Sequence, residues 1–276
     1  MKKENIRSTD FVESERPETR LLQFFDICKH RFVEILKISM LQTVFNMPLI
    51  ATLVTFYLFL RNATSLDSLM TIFLITAGCL LMSIVSSFTG MIGSFQCFKK
   101  IAYAEGEYAS STFFTGLVSE WKKGLLIGLI VGLSLALTVI GSFFFYYYLS
   151  AYNSIVAGFG IAILAIQSMV VLMIGYYSVA QLTIYENKLG AVLKNSFIFA
   201  LMRFQYNLPL FILHPGIIVA LVAIMEITMY VAVGLIIVFI AFGHLIWVLN
   251  SISGFDKFIN KENYPNFYRK GLNKEA

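Results

Sequence analysis

Charge is what this sequence has least of. Only 13% of its 276 residues are Asp, Glu, Lys or Arg, about half the share of a soluble domain, while 58% are hydrophobic. Mean hydropathy is +0.77. Such a composition excludes soluble domains and disordered chains alike, because both need far more polar surface. Cysteine is also scarce. Cys28, Cys79 and Cys97 stand apart with no CxxC spacing, which excludes a disulfide framework and a thiolate metal cluster. HExxH, the phosphate-binding loop, GxSxG and a pair of carboxylates placed for acid–base work are all missing. The residues therefore point to no enzyme and no cofactor. Nor do the basic residues form the soluble basic face that nucleic-acid binding requires.

What the sequence has is apolar length. A helix of about 20 mostly apolar residues crosses the roughly 30 Å of hydrocarbon in a bilayer. Six stretches qualify, near 38–60, 69–97, 125–149, 154–183, 208–225 and 229–249. The expected fold is all-α, a polytopic transmembrane bundle of about six spans. The last two stretches form one run from Leu208 to Leu249, too long for a single span, so a hairpin with Glu226 at its turn is expected. Mixed charge before the first span differs from the short basic start of a cleavable signal, so that span is expected to be retained.

The few charges sort by side. Of 21 Lys and Arg, 20 fall before span one, between spans two and three, between four and five, or after span six; Arg61 alone lies opposite. By the positive-inside rule both termini are cytoplasmic and the protein is a multi-pass plasma-membrane protein. Fourteen of the 16 acidic residues share that side, leaving it net positive and attracted to an anionic cytoplasmic leaflet. The outer connections are too short to fold a receptor domain.

The inner segments carry apolar helical faces. Leu21, Phe24, Phe25, Cys28, Phe32, Ile35 and Leu36 recur at steps of three and four. Phe113, Phe114, Leu117, Val118 and Trp121 do the same, as do Leu189, Val192, Leu193, Phe197, Ala200, Leu201 and Phe204. Such helices lie in the membrane interface or dock on a partner. Each precedes a membrane hairpin and carries two aromatics seven residues apart, with a charge just before the second: Arg31–Phe32, Glu120–Trp121 and Arg203–Phe204. This spacing suggests three units, 21–97, 108–183 and 189–250. Residues 1–20 form a charged leader, expected to be flexible; 21–250 form the membrane domain, and 251–276 a basic cytoplasmic tail.

Gly124, Gly128, Gly132 and Ala136 put small residues every four positions along span three, a seam for close helix contact. Gly158, Ala162 and Ala165 make a weaker one on span four. Contact between these two spans is the simpler reading, and a homo-oligomer through the glycine seam is the alternative. Pro48 and Pro215 predict kinks. Polar residues inside a membrane are suspects for function. They are Asn46, Gln167, His214 and His244, with Glu226 at the outer turn and Gln42 beside Asn46. His214 and His244 fall at similar depth, as a proton-relay or metal pair would, or each bonds a nearby carbonyl or hydroxyl. The amides cross-link helices or line a path.

Several of these pieces have a familiar arrangement. They are Phe24-Phe25 before span one, Asn46-Met47-Pro48-Leu49 within it, and Cys97-Phe98-Lys99-Lys100 through Gly106-Glu107 and Phe113-Phe114-Thr115-Gly116 to Glu120-Trp121-Lys122-Lys123. Then come Lys188-Leu189-Gly190-Ala191-Val192-Leu193-Lys194-Asn195-Ser196-Phe197 and Arg203. From about residue 21 to 250 the chain resembles the YesL-like family of bacterial integral membrane proteins, a family of unknown molecular function. The resemblance implies an accessory or assembly partner of a transport system, such as an ATP-binding-cassette sugar importer of Gram-positive bacteria. A small-solute transporter or permease in its own right is the alternative. The permease coupling signature is not matched, since the gap from Gly190 to Leu208-Pro209 is too long.

Overall fold

The computed structural model describes residues 16–106, 108–185, 187–216 and 225–273. The described chain is an all-α bundle: α1 (Arg20–His30), α2 (Phe32–Arg61), α3 (Leu66–Ala102), α4 (Ala109–Phe143), α5 (Ser154–Ile184), α6 (Leu189–Met202), α7 (Phe204–Phe211) and α8 (Met225–Phe255). Wide π-helical turns extend α4 through Phe144–Leu149, α7 through Ile212–Gly216 and α8 through Asp256–Asn260. The π turn after α7 falls where Pro215 removes a backbone donor, whereas α2 runs on through Pro48. Five helices are long and apolar enough to cross a membrane, and a sixth span arises if α6 and α7, bent by 88°, are counted as one. This is a multi-pass membrane protein.

Local chemistry fixes the helix starts. Thr19 caps α1 by accepting from the Leu22 N–H at 3.3 Å. Ser65 and Ser68 form a reciprocal capping box on α3, and the Asn153 side chain accepts from the N–H groups of Ile155 and Val156 on α5. Arg31 and Arg203 interrupt their helices in nearly the same conformation, φ −123° and ψ 26° against φ −106° and ψ 20°. Each still donates its N–H four residues back and accepts from the N–H four residues on. These are the charged residues of the first and third suggested units. The second behaves differently. Glu120 and Trp121 lie inside the continuous α4, so residues 113–121 belong to a long helix and form no separate interfacial one. The helix passes Gly124 because Ile92 fills the space beside it.

α3 is the central helix, touching α2, α4, α5 and α8. The core gathers at the end of the bundle that carries both described chain ends. Ile35, Ile38, Phe88, Met91, Phe95, Phe98, Phe113, Tyr177, Trp247 and Phe255 are all buried there. Toward the opposite end Leu58, Phe59, Met70, Leu74, Ile155, Phe159 and Ile163 are exposed, as side chains facing lipid are.

Three expectations are corrected here. The seam Gly124, Gly128, Gly132 and Ala136 is buried against α3 of the same chain and not against span four. A Cβ on Gly128 would lie 2.8 Å from the Val85 Cα, and one on Gly132 would lie 2.9 Å from the Leu81 carbonyl oxygen. That face is filled within the chain. At the start of α5 the buried small residues are Ala157 and Gly160, the latter under Phe145, whereas Gly158 faces open space. Finally, the segment from 251 is no loose tail. α8 continues past it, and the chain then folds back over α1 and the end of α3. Of the expected leader, residues 1–15 lie outside the described residues, as do 217–224, where the last hairpin was expected to turn.

Candidate functional site: a buried histidine pair and a knot of chain ends

His214, in the π turn after α7, meets His244 of α8 with ring centroids 5.6 Å apart and planes at 86°. Both imidazoles are buried. The Tyr176 hydroxyl of α5 lies 3.2 Å from His214 Nδ1. Trp247 stacks on Tyr176 at 4.6 Å with the rings nearly parallel, and Phe95 of α3 meets the His244 ring edge-on at 5.5 Å. Gly243 makes this possible, since a Cβ there would fall 2.0 Å from His214 Cδ2. The expected convergence of the two histidines is therefore present, against the buried rings of Phe95, Tyr176 and Trp247.

The pair is walled by rings. A hydrogen-bonded step exists from Tyr176 to His214, but His214 Nε2, His244 Nδ1 and Trp247 Nε1 have no partner among the described residues. A metal would need a further ligand, and no group of three His, Cys, Asp or Glu occurs among the described residues. The arrangement serves as a wedge that fixes α7 against α5 and α8.

Toward the terminal end lies a polar cluster that the sequence pattern did not flag. Tyr177 donates to Asn207 Oδ1 at 2.8 Å, and Asn250 Nδ2 reaches that same oxygen at 2.9 Å and the Tyr177 hydroxyl at 3.2 Å. Arg203 donates to the Asn250 carbonyl at 2.7 Å, and Gln181 donates to Ser196 Oγ at 2.8 Å. α5, α6, α7 and α8 are tied together by these bonds. The available signal was Asn207 and Asn250 on either side of the last hairpin, each just beyond the assigned ends of the spans.

The other expected site residues scatter. Asn46 accepts from Gln42, which also donates to the Ser87 carbonyl and accepts from Ser94, so this pair bolts α2 to α3. Gln167 is exposed and donates to Ser134 Oγ of α4 at 3.1 Å. Neither approaches the histidines as a shared lining would. Glu226 lies within the described part of α8 and not at a described turn, and its side chain lies outside the described set.

The knot of chain ends centres on Arg20. Its guanidinium bonds Asp256 at 2.9 Å, Gln23 at 2.8 Å and the Lys270 carbonyl at 3.0 Å. Burial pulls the Arg20 pKa down, and the Asp256 carboxylate works against that. Gln23 bonds the carbonyls of Ala102 and Gly271, Asn260 bonds Asp256, Tyr185 bonds Asn260, and Lys270 pairs with Glu105 at 2.6 Å. Burial raises the pKa of Tyr103 and of Tyr185, so both hydroxyls stay protonated. Gly271 is required, since its φ is +80° and a Cβ would strike the Ala102 carbonyl oxygen. α1 thus turns Arg20, Gln23 and Ile27 inward while Leu21, Leu22 and Phe25 stay exposed. Beside this knot is a cavity of about 380 Å³ lined by both ends of the described chain.

Compared with known proteins, the chain matches no protein-family model, no curated protein and no solved structure.

Proposed function

We propose that this protein is an accessory or assembly subunit of a membrane transport system, with carbohydrate uptake as the system class. It sits in the plasma membrane with its knotted, basic end in the cytoplasm. One observation carries the reading: the amides Gln42, Gln167, Asn207 and Asn250 join helices, and the histidine pair is enclosed by Phe95, Tyr176 and Trp247. A permease needs polar groups that converge on a path for solute. Asn46, Gln167 and His214 instead belong to three different helix contacts. The carbohydrate clause comes from the YesL-like resemblance, and the orientation comes from the side on which the Lys and Arg lie. Folded surface for a partner is concentrated at the basic end, and the exposed apolar face of α1 suits an anionic leaflet.

The test is affinity purification of the tagged full chain from native membranes in mild detergent. Recovery of a transport permease or its ATPase at near-equal amount supports the proposal. Recovery of the chain alone, together with solute uptake by proteoliposomes holding only this protein, overturns it in favour of the permease.

A further inference from the structure

We infer that the cavity at the knot of chain ends binds a phosphate-bearing anion. It is a cleft of about 380 Å³ that is largely open to solvent, so a charged group can enter it without a conformational change. The wall holds four cations, Arg20, Lys257, Lys261 and Arg269, against two carboxylates, Glu18 and Asp256. Asp256 is already neutralised by Arg20 at 2.9 Å. Three cations are then left facing the single carboxylate of Glu18.

Those three have donors to spare. Lys257 approaches only the Phe258 ring, at 5.2 Å, and neither it nor Lys261 pairs with a carboxylate among the described residues. Arg269 gives Nη2 to the carbonyls of Glu18 and Asn273, while its Nε is buried and has no acceptor. Tyr268 and Thr19, whose side chains carry hydroxyl donors, line the same space. Several convergent donors with net positive charge suit an oxyanion of three or four oxygens better than one carboxylate. Arg269 at φ +51° and Gly271 at φ +80° turn the chain back across α3, where Gln23 bonds the Gly271 carbonyl and the Asn273 N–H bonds the Pro17 carbonyl. Because the walls come from both ends of the described chain, a bound phosphate bridges them. The phosphate can arrive on a lipid headgroup or on a soluble phosphoester.

The experiment uses the purified full chain with two probes. Inorganic pyrophosphate is titrated calorimetrically in detergent, and phosphatidylglycerol is counted by native mass spectrometry in nanodiscs of otherwise zwitterionic lipid. The variant is the double K257Q/K261Q, both exposed positions, with its melting midpoint checked against wild type. The control is K122Q/K194Q, which removes the same charge elsewhere. Saturable binding weakened about tenfold or more in K257Q/K261Q and within about twofold of wild type in the control supports the site. Binding of pyrophosphate identifies a soluble phosphoester as the source, and binding of phosphatidylglycerol alone identifies the headgroup. No saturable binding of either probe, or equal weakening in both double variants, overturns the inference.

Discussion

Replacing Gly128 by alanine tests the geometry of the α3–α4 contact directly. The new Cβ would lie 2.8 Å from the Val85 Cα, 3.1 Å from the Val85 carbonyl oxygen and 3.2 Å from the Phe88 Cβ. Two of these atoms are backbone, so no rotamer change relieves the contact. Carbon atoms rest about 3.5–4.0 Å apart, so the helices must part by roughly 1 Å. Overpacking of this kind costs about 1–3 kcal/mol, and alanine returns up to about 1 kcal/mol through helix propensity. Gly78→Ala supplies the reference, because it lies on α3 with nothing within 4 Å and gains the same propensity. The difference between the two variants is therefore the steric part alone. Thermal unfolding in detergent should place Gly128→Ala below Gly78→Ala by several °C, at about 2–4 °C per kcal/mol for a chain of this size. Gly124→Ala should fall between them, since its nearest obstacle is the mobile Cδ1 of Ile92. Equal midpoints for Gly128→Ala and Gly78→Ala would refute close backbone approach along this seam.

Two further perturbations probe the site. Gly243→Ala should lower the melting midpoint strongly because its methyl collides with the His214 ring, and the added change His214→Ala should recover most of the loss; additive losses in that double-mutant cycle would show that the histidine does not lie on Gly243. At the knot, Arg20→Met or Asp256→Leu alone should cost about 3–5 kcal/mol by leaving a buried charge unpaired, and the double substitution should cost far less. Single variants that melt like wild type would place this ion pair in solvent.

The spans were legible because lipid demands apolar length, and the glycine seam because only small residues allow backbones to approach. Its partner was not legible: a four-residue repeat says which face is narrow but carries nothing about which helix enters it. Thus Gly128 faces Val85 of α3 where span four was the simpler expectation. Depth counted from the last turn brought His214 and His244 together, yet the same counting could not reveal Tyr176 and Trp247, which carry no polar pattern that marks them out. The largest loss was at the ends. Arg20 and Asp256 lie 236 residues apart, and each looked like one more solvated charge. Only the fold pairs them, and an ion pair has no periodicity to betray it.

The depth at which polar bonds occur bears on how the bundle works. In lipid no hydrophobic force draws helices together, so small-residue seams and hydrogen bonds must supply the cohesion. Here the buried polar bonds gather toward the terminal end: the Gln42–Ser94 bolt, the Tyr177–Asn207–Asn250 cluster and the Arg20–Asp256 knot succeed one another from the interior to that end, while the glycine seam runs along the middle of α3. Beyond them the outward faces of α2 and α5 expose leucine, isoleucine and phenylalanine, while Thr52–Ser83 ties α2 to α3 and Gln167–Ser134 and Ser168–Thr138 tie α5 to α4. Such a bundle presents a folded polar surface at the terminal end and lateral apolar faces along the rest. On the accessory-subunit reading proposed above, the lateral apolar faces would lie beside the helices of a transporter while the folded end meets its cytoplasmic machinery, and affinity purification from native membranes tests both contacts at once.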